Sequence, residues 1–238
     1  MRTAFAGFPP DMVRFFRSLK RNNRREWFQP RKHLFEQHVK APMLDLVGAI
    51  NAELAKFAPE YVTEPKSAIF RIYRDTRFSL DKTPYKTHIA ASFSRRGSER
   101  LGTGGFYFSV SHEVIEIAAG IWHPDRDVTL LVRNHIAETH QELSRILAGT
   151  KLRKVAGELQ GSALSRAPKG FDPAHPAVEF IKRKDWILDV TLDANLATTP
   201  ELHTAIVERF RVMAPLLGYL NRPLVSRKPA RDLLADHW

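Results

Sequence analysis

FYFSVSHEVIEIAAGIW, residues 106–122, alternates large apolar with polar or small side chains on either side of His112-Glu113. A period of two means pleated backbone, because successive side chains leave a strand on opposite faces. The stretch therefore predicts two strands, Phe106 to Ser111 and Val114 to Trp122, turning back on each other at His112-Glu113. Ile69 to Tyr73 and Ile89 to Ser94 carry the same period ahead of it, with turns at Arg96-Gly97 and Gly102 to Gly105. Short connections of this kind imply an antiparallel meander. The pleat groups Phe70, Ile72, Ile89, Ala91, Phe93, Phe106, Phe108, Ile115, Ile117 and Ile121 toward a core. The opposite face collects Arg71, Tyr73, His88, Ser92, Ser94, Tyr107, Ser109, Glu116 and Trp122, a mixture too polar for a core.

Helical spacing flanks this meander. Phe15, Phe16 and Leu19 form an apolar face after Pro9-Pro10, and Asn22-Asn23 interrupts it. Leu34, Phe35, Val39, Leu46, Val47, Ile50 and Leu54 continue in a longer helix with an expected kink at Pro42. Asp127 to Leu147 is helical, Asp172-Pro173 opens a short helix to about Lys182, and Trp186 to Leu192 reads as a further strand. Thr199-Pro200-Glu201 starts the last helix, with Leu202, Ile206, Phe210, Met213, Leu217 and Leu220 on one stripe. The fold class is α+β: a mainly antiparallel sheet packed against N-terminal, middle and C-terminal helices. Residues 1–222 are expected to form one domain, and 223–238, with Arg227, Lys228 and Arg231, a basic extension.

The 238 residues are 43% hydrophobic, enough apolar mass for a core, which excludes a disordered chain. MRTAFAGFPPD lacks the apolar segment of a signal peptide, and no uncharged apolar run is long enough to span a bilayer. With no cysteine there is no thiolate nucleophile, disulfide, iron–sulfur cluster or thiolate zinc site. A cytoplasmic, unprocessed protein without a membrane partner is expected. The formal charge of +11 attracts polyanions. Its basic residues are dispersed, over Arg14 to Lys32, Arg95, Arg96, Arg100 and Lys182 to Lys184, which favours a solvated surface over a dedicated nucleic-acid face.

The densest chemistry lies in RIYRDTRFSLDKTPYKTH, Arg71 to His88. Two readings fit it. Loop-borne Arg74, Arg77, Lys82 and Lys86, with Arg71 and Tyr73 on the strand and Tyr85 beside them, can converge on a phosphate or carboxylate. Alternatively Asp75 and Asp81 neutralise the neighbouring arginines, Pro84 fixes a turn, and the cluster locks a long connection. Arg166 and Lys169, in a Gly-containing turn before the Asp172 helix, are candidates to complete an anion site. His88 is the candidate proton carrier, oriented by Glu116 or Asp75. Trp27-Phe28 and Trp122 read as core or pocket-wall aromatics. G-x-S-x-G, P-loop and G-x-G-x-x-G motifs are absent, and the Gly102-Thr103-Gly104-Gly105 run lacks the lysine a P-loop needs. His112, Glu116, His123 and Asp125 are the nearest-spaced metal candidates, without a tight ligand pattern, so no metal site is assigned.

These residues also carry a resemblance. Asn22-Asn23 with Glu26-Trp27-Phe28, FRIYRDTRFSLDKTPYKTH at Phe70 to His88, Gly105-Phe106-Tyr107 and Ala119-Gly120-Ile121-Trp122 with Pro124 are similar to the uncharacterised bacterial and fungal family catalogued as domain of unknown function 2461. Pro168-Lys169-Gly170-Phe171-Asp172 and His175-Pro176 extend the similarity, which covers about residues 5–222. The resemblance implies a single intracellular α+β domain and supplies no reaction, cofactor or catalytic assignment. The functional expectation is a pocket for an anionic small molecule, with turnover open; the alternative is a non-enzymatic nucleic-acid-binding or adaptor module. Cofactor and oligomeric state are not specified by the sequence.

Overall fold

The computed structural model describes residues 5–96 and 102–225. Gly97 of the expected turn, Arg100 and positions 226–238 of the expected extension lie outside the described residues. The fold is α+β, built on a four-stranded antiparallel sheet in the order β1-β2-β3-β4. Its strands are β1 (His88–Ser94), β2 (Gly105–Ser111), β3 (Val114–Ile121) and β4 (Trp186–Asp193), and the first three form the expected meander. The described chain divides into two compact units, one holding 5–96, 106–118 and 189–211, the other 102–105, 119–188 and 212–225. No helix among the described residues is long and apolar enough to cross a membrane.

In the first unit, helix α1 (Pro10–Arg21) starts on a proline whose missing N–H costs nothing at that position. It buries Met12, Phe15, Phe16 and Leu19, one face at helical spacing. It stops at Asn22, whose backbone N–H and side-chain Nδ2 both donate to carbonyls of the last turn. Short helices α2 (Arg25–Phe28) and α3 (Lys32–Phe35) lead through a π-helical turn, Glu36–Lys40, into α4 (Ala41–Phe57). The widened turn sits immediately before Pro42. There it relieves the clash between the proline ring and the preceding turn that a regular helix would suffer. Phe93 and Phe106 of the sheet meet Phe210, with Phe106 stacked on it at 4.5 Å, while Phe108 packs on Phe93 and Tyr61 on Phe106. Each fully buried Phe contributes about 1.5–3 kcal/mol over an exposed one, so this cluster anchors the unit.

Three local expectations are corrected. Ile69 to Tyr73 is not a regular strand after helix α5 (Pro65–Ala68); it touches β1 and the preceding segment through isolated antiparallel bridges, Ile69 to Ala91 and Tyr73 to Tyr85. Between these bridges four residues advance on one side and six on the other, so the ladder cannot stay in register and the longer side bulges around Lys86 to His88. The pleat breaks with it: Ile72 is buried while Phe70, grouped with the core, is 44% exposed. Trp122 likewise is no wall of the core but 72% exposed.

In the second unit, α6 (Arg126–Leu147) is capped by Asp125, whose carboxylate accepts from the Val128 N–H at 2.8 Å. Helix α7 (Thr150–Ala156), unforeseen in the sequence, follows directly after Gly149. The third correction falls on Asp172, which forms a turn with the Ala174 N–H; helix α8 (Val178–Ile181) begins six residues later. Helix α9 (Glu201–Val225) runs farther than its apolar stripe required and buries Leu224 in its last turn. Near that end the Asn221 amide pairs with both backbone groups of Gly104, at 2.8 and 3.0 Å.

Candidate functional site

The loop from Arg74 to Thr83 is closed by its own charges. Arg74 donates to Asp81 and Thr83, and Asp81 also accepts from the Thr83 N–H. Arg77 forms a two-pronged pair with Asp75 at 3.0 and 2.8 Å, and Lys82 donates to the Thr76 carbonyl. Bonding to Arg77 holds the Asp75 carboxyl at about 2, and bonding to Arg74 does the same for Asp81. Three of the candidate anion ligands, Arg74, Arg77 and Lys82, are thus occupied within the loop, as the ion-pair reading anticipated for the arginines. Phe78 and Leu80 stand fully exposed at its tip. Tyr85 closes the loop from below. It is buried and stacked on Phe28 at 4.1 Å, with its backbone N–H and carbonyl both bonded to the Asn23 side chain.

Beyond Tyr85 the bulge leaves Lys86 beside the outward face of the sheet, which His88 reaches by strand parity. The Lys86 ammonium lies 4.9 Å above the Phe70 ring, and Phe70 in turn meets Tyr107 of β2 at 6.2 Å. Ser109 of β2 donates to Glu116 of β3 at 2.8 Å. Across the next pair of strands Asp189 of β4 feels the Glu116 charge. Four groups here, Lys86, His88, Tyr107 and Asp189, are displaced in the direction their surroundings dictate. Burial, reinforced by Arg71, pushes the Lys86 amine down; burial and then Lys86 push His88 down, opposed by Glu116. Burial raises the Tyr107 phenol, and burial followed by Glu116 raises the Asp189 carboxyl. Glu116 and Lys86 are the charged groups acting on His88, whereas Asp75 is taken up by Arg77.

Arg71 and Tyr73 flank this face and line a cavity of about 700 Å³ together with Phe70, Lys32, Lys40 and Lys66. Lys40 is paired with Glu36 at 2.8 Å; Arg71, Lys32 and Lys66 have no ion pair among the described residues. Lys169 lines a cavity of the second unit, and Arg166 is exposed in the segment leading to it. Among the described residues no group of three or more His, Asp or Glu could hold a metal ion.

Sequence reasoning placed Tyr107 and Ser109 on this face without assigning them a role, and it missed Phe70 and Asp189. The signal for Asp189 was present: in the expected strand Trp186 to Leu192 it stands opposite in parity to the buried Trp186 and Leu188. No curated protein and no solved structure matches the chain. Residues 11–219, which include the bulge, the polar sheet face and both cavities, match a family profile; the chain therefore belongs to the family described as Conserved hypothetical protein (DUF2461).

Proposed function

We propose that the first unit binds a small phosphorylated or carboxylated ligand against the outward face of the sheet, with Arg71 and Lys86 holding the anion and His88 exchanging a proton with it. The observation that carries this reading is the convergence of Lys86, His88, Tyr107, Glu116 and Asp189, four of them with displaced proton affinities, on one partly enclosed face. Burial lowers the proton affinity of His88, so the imidazole is neutral near pH 7 and has a ring nitrogen able to accept a proton. Glu116 acts on His88, and burial with the Glu116 charge raises the Asp189 carboxyl, so acidic groups stand within electrostatic reach of the imidazole. Lys86 is partly stripped of water and has no carboxylate partner among the described residues, so an incoming anion supplies the missing charge.

A thermal-shift screen of phosphorylated and carboxylated metabolites tests this, since a ligand that binds only the folded state raises its melting temperature. Arg71→Ala is expected to weaken the hit about tenfold or more while changing the stability of the free protein by less than about 0.5 kcal/mol, because Arg71 is exposed. Binding should tighten as pH falls through the His88 titration, and His88→Gln should flatten that dependence. No hit, or a hit indifferent to Arg71 and Lys86 substitution, removes the reading. The nucleic-acid alternative draws support from the exposed Arg17, Arg21, Arg24 and Arg25 at the N-terminal helices, and steeply salt-dependent binding of random DNA or RNA would favour it.

A further inference from the structure

The second unit contains a cavity of about 780 Å³ between the start of α6, the loop 162–171 and the turn into β4. Four cationic side chains line it: Arg126 and Arg133 from α6, Lys169 from the loop and Lys184 from the turn. None of the four has an ion pair among the described residues. Asp185 is the one carboxylate in the lining, and both of its oxygens are already engaged: one accepts from the His123 N–H at 2.8 Å, the other from the Ser162 N–H and hydroxyl. Its work is mechanical. By those bonds it ties three segments of the wall together and holds His123 in a left-handed conformation, φ 49°, that a non-glycine residue rarely adopts. The frame is therefore built around the cations without neutralising them.

Arg133 is the most demanding of the four. One of its terminal nitrogens donates to the Arg183 carbonyl at 3.0 Å, while its Nε is buried with no hydrogen-bond partner. A partly buried guanidinium whose Nε is cut off from water without a partner, and which faces no carboxylate, is a costly arrangement, tolerated where an anion completes it.

We propose that this cavity is a binding site for a small molecule carrying a phosphate monoester, with Arg133 as its anchor and Lys169, Lys184 and Arg126 completing the cradle. Burial lowers the proton affinity of Arg133 with no acidic group opposing it, which agrees with a site lacking its counter-charge. Four formal positive charges suit a dianion better than a carboxylate, and a guanidinium offers the paired donors that phosphate oxygens accept. Pro124, Leu130 and Phe171 supply apolar wall for the rest of the ligand, and the volume is that of an ordinary small-molecule site. The proposal is independent of the reading of the first unit.

The test uses the full chain with inorganic phosphate and adenosine monophosphate as probes, titrated calorimetrically near physiological salt. Saturable binding of at least one is expected, weakened about tenfold or more in Arg133→Met and in Lys169→Gln, and unchanged in Lys151→Gln, an exposed lysine outside the cavity lining. Without probe, Arg133→Met should melt close to the parent temperature, because the relief of a partly buried uncompensated charge offsets the lost hydrogen bond to the Arg183 carbonyl. Lys169 is exposed, so Lys169→Gln keeps the test valid if Arg133→Met fails to fold. Absence of probe binding, equal binding by Lys169→Gln, loss of binding in Arg71→Ala alone, or uptake of a random DNA duplex without uptake of either probe would each overturn the proposal.

Discussion

At the scale of single residues, Gly120 shows how a motif position is explained by space rather than chemistry. Its φ is +146°, and a Cβ placed there would lie 2.0 Å from the Trp186 carbonyl oxygen on the neighbouring strand. Neither the torsion nor the contact admits a side chain. Gly120→Ala is therefore expected to cost about 2–4 kcal/mol, read as a lower urea midpoint at unchanged slope. The charged residues behave differently. Arg74 and Arg77 look the same as Arg71 in the sequence, yet two are bound to Asp81 and Asp75 while Arg71 is left at a cavity wall. Strand parity could separate Arg71 from the loop residues, but it could not say which carboxylate each loop arginine meets.

At the scale of elements, the informative departure is the bulge ahead of β1. Alternation read Ile69 to Tyr73 as an ordinary strand; the two bridges fall out of register with each other, and the surplus residues leave Lys86 over the Phe70 ring, beside the face that His88 reaches by strand parity. The bulge is pinned from outside by Asn23, whose amide satisfies the N–H and carbonyl of Tyr85 at 3.1 and 2.8 Å. This gives Asn22-Asn23 a second duty: Asn22 ends α1, and Asn23 fastens the loop that carries the site. Asn23→Ala leaves two partly buried backbone groups short of partners, so a loss of about 1–3 kcal/mol is expected. Hydrogen exchange should show it as faster exchange across 84–88. Unchanged exchange there would mean that stacking of Tyr85 on Phe28 suffices to hold the loop.

At the scale of the whole molecule, proton linkage sets how the fold responds to acid. Burial lowers the proton affinity of His88, His112 and His135. The charges facing them are Lys86 and Glu116 for the first, Glu113, Lys20, Arg17 and Arg21 for the second, and Arg222, Glu142 and Glu138 for the third. In each case the unfolded chain binds protons more readily than the folded one. Stability is then fully present above the unfolded histidine value of about 6.5, and it is lost as pH falls from there through the lowered folded values. Asp75 and Asp81, held at about 2, add their loss only in stronger acid. The melting temperature should fall between pH 7 and pH 5, by about 2–4 °C for each kcal/mol lost in a chain of this size. A flat profile over that range would show that the imidazoles titrate alike in both states. The strands, their buried set from Ile89 to Ile121 and the long helices were legible in the sequence, because the period of apolar residues is a local consequence of pleat and helical turn. Tertiary structure alone decided which arginines are neutralised, that Asp189 comes beside Glu116, and that Arg133 and Lys169 share a cavity. Those outcomes depend on register and packing between segments far apart in the chain, which no local period encodes.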